Sequence, residues 1–142
     1  MRPCLRLISL VLVLFISNLL YAQHSFPVHP GEKARYRVMI EMPKSYLSGI
    51  CILYQDSAEV KGSIFNEFGV SAIDFSYIPY KDKVKLRHVM KMLNKWYIKR
   101  VLRKDLLALI HNLKEGIYEY DDLKYKISFR FTPMEEMVII NE

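Results

Sequence analysis

The residues that could carry chemistry in this chain of 142 are few and scattered. Its four histidines, His24, His29, His88 and His111, include no HExxH spacing, and its two cysteines form no CxxC, so neither a metal site nor a cofactor is expected. Cys51 would act as a nucleophile only with an exposed thiol and a histidine beside it. Its neighbours Ile50 and Ile52 instead describe a small buried hydrophobe. Glu59, Glu67 and Asp74 fall near turns or on a polar strand face, where carboxylates are simply solvated. There is no glycine-rich phosphate loop, no GxSxG and no Ser/His/Asp ordering. These absences point away from an enzyme. A hydrolase working through Cys51 is the weakest of three functional readings.

Two other sets of residues stand out. Phe65, Phe68, Phe75, Tyr77, Tyr80, Trp96 and Tyr97 load one stretch with aromatics. On the concave face of a curved sheet such side chains could line a site for an acyl chain, or they could be an ordinary core closed by a helix. The second set is basic: Lys95, Lys99, Arg100, Arg103 and Lys104, interleaved with Trp96, Tyr97 and Ile98. A basic helix bordered by aromatics can rest on anionic lipid or an acidic partner, and it can equally be a solvated face.

The address of the chain is written in its first residues. Arg2 and Arg6 precede an apolar run from Leu7 to Leu20, and Ala22 stands before Gln23. That order reads as a secretory signal cleaved after Ala22, which makes the protein periplasmic or secreted. The run is shorter and more interrupted than the ~20 apolar residues of a comfortable span, although an uncleaved anchor would share its features. Removing Arg2 and Arg6 lowers the formal net charge of the chain from +6 to +4. An exported protein of that charge is expected to meet lipid or protein, and no nucleic acid. Cys4 leaves with the signal, so no internal disulfide is possible. Residues 1–22 are thus the signal, 23–32 an extended leader with two prolines and a glycine, and 33–142 a single domain.

Within that domain the apolar period is mostly two. Tyr36, Val38, Ile40 and Met42 alternate along Lys33–Met42. Ile50–Tyr54, bounded by Gly49, reads as a central strand; Val60–Phe65, Val70–Tyr77 and Val84–Val89 follow at hairpin spacing, so they pair antiparallel. In the last of these, Val84, Leu86 and His88 share one face. The period then lengthens: Leu86, Val89, Leu93, Trp96, Tyr97 and Val101 fall on one helical stripe, and Leu102, Leu106, Leu109 and Leu113 on nearly the opposite one. Two opposed stripes predict a break near Arg103-Lys104, with Asp105 capping a second helix that Gly116 ends. A final hairpin turns around Asp121-Asp122, and a tail, MEEMVIINE, closes the chain.

The predicted architecture is α+β: a curved antiparallel sheet of six or seven strands, an unclosed β-barrel, with one or two helices packed on its concave face. This order of elements, from Lys33 to Phe131 and with Gly62–Ile78 (GSIFNEFGVSAIDFSYI) as the most similar hairpin, resembles the periplasmic lipoprotein-localisation carriers of the Lol type. The Ala22-Gln23 junction is similar to those of exported proteins from Bacteroidetes-type bacteria. The carrier resemblance implies an unclosed barrel that holds acyl chains under a helical cover; it transfers no functional residue. The expected function is non-enzymatic binding of a lipid, a lipoprotein or another apolar ligand. Phe65, Phe75, Tyr77, Leu93, Trp96 and Tyr97 would line or plug the site. The alternative is an adaptor that binds an envelope protein or an anionic membrane surface through a sheet edge or the basic run.

Overall fold

The computed structural model describes residues 2–21 and 26–134. After helix α1 (Arg2–Tyr21) the chain forms strands β1 (Lys33–Glu41), β2 (Tyr46–Asp56), β3 (Glu59–Asn66), β4 (Ser71–Ile78) and β5 (Lys83–Val89). Helix α2 (Trp96–Lys114) and strands β6 (Glu119–Asp122) and β7 (Ile127–Pro133) complete it. The seven strands make one antiparallel sheet in the order β5-β4-β3-β2-β1-β7-β6, curled into an open half-barrel with α2 against it. The α+β expectation therefore holds. The described side chains of α1, residues 3–14, are exposed, and no helix among the described residues is long and apolar enough to cross a membrane. The Ala22-Gln23 junction, His24 and the tail from residue 135 lie outside the described residues.

The alternation of β1 is realised on the structure. Ala34, Tyr36, Val38 and Ile40 are buried while Lys33, Arg35, Arg37 and Glu41 are exposed. Cys51 and Leu53 of β2 and Val60 and Ile64 of β3 continue the same apolar face. Gly49 does not bound β2 but lies inside it, where a Cβ would stand 1.7 Å from the Phe65 carbonyl oxygen. The turn between β3 and β4 is closed by Asn66, whose Oδ1 accepts from the amides of Phe68 and Val70. Phe26, within the expected leader, joins the core.

Two bulges redirect side chains that simple alternation assigns otherwise. Ile64 pairs with Ile73 and Phe65 with Ser71, which leaves Ala72 as an extra residue in β4. Asp74 pairs with His88 and Phe75 with Leu86, so Arg87 is extra in β5. An extra residue shifts every later side chain to the other face. Val84 and Leu86 face the core before the bulge, Val89 faces it afterwards, and His88 is exposed.

The expected helix break does not occur. Leu86 and Val89 belong to β5, Leu93 to a single 3-10 turn, and α2 runs unbroken through Arg103, Lys104 and Asp105. Its buried stripe is Leu102, Leu106, Leu109, Ile110 and Leu113, each worth up to roughly 1.5–3 kcal/mol on full burial. Asp105 is not a cap; it is fully buried in mid-helix. Gly116 does end the helix, at a φ of +78°. The Gly116 amide donates to the Leu113 carbonyl and the Ile117 amide to that of Asn112, a Schellman closure.

Candidate functional site

The strand registers gather four connections at one end of the half-barrel: residues 42–45, 67–70, 90–95 and 123–126. The N-terminal half of α2 lies over this end. Between them is a pocket of about 620 Å³. Its sheet wall is Ile40, Ile73 and Ile127, its helix wall is Ile98, Val101 and Leu102, and Leu93 joins from the 3-10 turn before α2. Met42, Pro43 and Leu47 form a lip, shared in part with an adjoining depression of about 250 Å³. Trp96, Tyr97 and Tyr125 stand at the mouth, exposed by 73, 50 and 45%. Thirteen of the sixteen lining residues are apolar or aromatic, and the other three, Arg100, Lys104 and Lys124, are all basic.

The two opposed stripes of α2 explain why a pocket forms here. From Leu102 onward one stripe is buried in the sheet. The other, with Trp96, Tyr97 and Val101, faces the pocket instead of a second layer of protein. Trp96 and Tyr97 meet edge to face, with centroids 5.8 Å apart. The helix also begins with no side-chain cap and no acidic residue in its first turn, so its positive end is uncompensated near the mouth.

Of the six expected ligand-site residues, Leu93, Trp96 and Tyr97 line this pocket, while Phe65, Phe75 and Tyr77 do not. Phe65 lies on the face of β3 opposite Val60 and Ile64. Phe75 is core, its ring against the bare Cα of Gly62, where a Cβ would meet it at 2.3 Å. Tyr77 belongs to the other end of the molecule. Its hydroxyl donates to Asp82 Oδ1 at 2.9 Å and accepts from Lys114 Nζ at 2.8 Å. His111 Nε2 lies 2.6 Å from the same Asp82 oxygen and, with Tyr77, holds that carboxyl below the usual carboxylate range. This cluster ties the 79–82 turn to the C-terminal end of α2.

The basic run divides in the same way. Arg100 and Lys104 line the pocket; Lys95 precedes the helix with its ammonium 6.0 Å from the Tyr97 ring, and Lys99 and Arg103 are outside the lining. Sequence reasoning missed Lys124 and Tyr125, which reach the mouth from the β6–β7 turn. The signal was Asp122, whose Oδ1 accepts from the amides of Lys124 and Tyr125 and so shapes that turn.

Asp105 lies one residue beyond the last helical residue of the pocket lining. Burial, with Asp122 beside it, raises its carboxyl to about 7, and no donor reaches either oxygen among the described residues. A proton held on Asp105 gives it a donor toward Asp122. Burial alone would raise Asp122, but the Asp105 hydrogen bond, the Tyr125 and Lys124 amides and the charge of Lys104 together lower it. The helix is thereby joined to the turn that carries Lys124 and Tyr125. Elsewhere, Cys51 is fully buried and burial pushes its thiol far up, which removes it as an available nucleophile. No metal-holding group of three or more His, Cys, Asp or Glu occurs among the described residues. Comparison with protein-family models, curated proteins and solved structures finds no match.

Proposed function

We propose that this is an exported, non-enzymatic protein that binds a lipid or another apolar ligand in the pocket between α2 and the end of the sheet. The pocket of about 620 Å³ carries this reading. Its volume falls within the ~300–1,000 Å³ of small-molecule sites, and its walls are apolar with a few convergent polar groups. The export signal read in residues 1–22 puts such a binder in the periplasm or outside the cell, where lipid and lipoprotein are the available apolar cargo.

The test is native mass spectrometry of the protein purified from the periplasm without detergent. A bound species of lipid mass is expected. A bare protein mass, persisting after incubation with a fatty acid, would remove the binder reading.

The adaptor reading is favoured by one observation: Lys95, Lys99 and Arg103 are basic yet lie outside the pocket lining. Charge reversal at Lys99 and Arg103 separates the two readings. It should abolish association with an envelope partner or an anionic membrane and leave ligand in the pocket untouched.

A further inference from the structure

We propose that the pocket selects a single-chain fatty acid, with its carboxylate at Arg100, Lys104 and Lys124 and its alkyl chain running between α2 and the β1–β7 side of the sheet. This rests on the binder reading and names the ligand class. Charge is the first argument. The lining holds three cations and no acid. None of the three forms an ion pair among the described residues. They come from two separate elements, α2 and the β6–β7 turn, and converge on one mouth. Lys104 also bears on the buried Asp105 and Asp122, and Lys124 Nζ lies 5.3 Å from the Tyr125 ring. Arg100 therefore offers the least committed charge, and its planar fork matches a carboxylate.

Volume is the second argument. At ~30 Å³ for each water-sized group, the pocket holds on the order of twenty heavy atoms. That fits a single alkyl chain with a small head. Polarity also changes along the pocket. The cations are at the mouth and the isoleucines Ile40, Ile73 and Ile127 are on the wall, so an amphiphile enters with its head outward.

Trp96 supplies the readout, because it is the single tryptophan of the chain and stands exposed at the mouth. The full chain is titrated at pH 8 and low ionic strength with dodecanoate, dodecan-1-ol and dodecyltrimethylammonium, following the blue shift of its emission. Dodecanoate is expected to bind on the order of tenfold more tightly than the alcohol, with the cation weakest. High salt should narrow that gap. The variant R100Q/K104Q/K124Q should bring dodecanoate to the level of the alcohol and leave alcohol binding as it was, which also shows that it is folded.

Equal affinities for the three heads in the unmodified protein would overturn this inference and leave the apolar pocket standing. Preference for the carboxylate that survives in the triple variant would overturn the assignment to these cations. No response to any of the three would remove the binder reading itself, and the inference with it.

Discussion

Along α2, the residues from Leu106 to Leu113 fill the sheet, whereas those from Trp96 to Lys104 stand over a pocket. The C-terminal half buries Leu106, Leu109, Ile110 and Leu113 to 1% exposure or less. It is further tied down by the Tyr77–Asp82–His111–Lys114 cluster and by the closure at Gly116. The N-terminal half lacks a side-chain cap and leaves Trp96 73% exposed. One helix thus closes a core at one end and walls a pocket at the other. Asp105, paired with Asp122, marks the boundary.

The contrast is broken most severely in the filled half. Leu109→Ala should cost about 2–5 kcal/mol in a denaturant melt, because the buried site cannot collapse onto the missing atoms. Val101→Ala, one stripe over and beside the pocket, should cost less than about 1 kcal/mol. Equal losses would mean that both halves are core.

The boundary pair gives a pH dependence. The folded protein holds a proton on Asp105 up to about 7, while an unperturbed carboxyl releases it near 3.8. Over that window the native state binds more protons than the unfolded chain, so stability falls as pH rises and levels off above about 7. Between pH 5 and pH 8 the loss should be on the order of a few kcal/mol. Asp105→Asn keeps a donor toward Asp122 and should flatten this slope. An unchanged slope in that variant would place its origin elsewhere.

These two tests also mark the limit of what could be read without a structure. The faces of β1, the hairpin series and the Gly116 stop were legible because each is a local pattern: alternation, turn residues, a left-handed glycine. The bulges at Ala72 and Arg87 were not, since each depends on the neighbouring strand's register, and they put His88 on the wrong face. The continuity of α2 was hidden for a similar reason. Asp105 resembles a cap until Asp122, far along the chain, supplies a buried acceptor. At the pocket, the opposition of the two helical stripes is legible in the sequence, and it reflects one continuous helix with two environments instead of a break. Phe65, Phe75 and Tyr77 are as aromatic as Trp96 and Tyr97; strand face, core packing and the distance between the two ends of the sheet separate them from the mouth.

A smaller effect sharpens the open half. Trp96→Ala should change stability by no more than about 0.5 kcal/mol, since the indole is mostly in water. Ligand retention, read by native mass spectrometry, should fall by more than stability does. Matched losses in both would return Trp96 to the core.

The most direct measurement fills the pocket from the helix side with Val101→Phe and compares dodecanoate affinity with the unmodified protein, using Trp96 emission together with a thermal melt. A pocket of about 620 Å³ has room for the ring, so affinity should fall at least about tenfold while the melting temperature holds or rises. Unchanged affinity at an unchanged melting temperature would show that the chain does not occupy the space between α2 and the sheet.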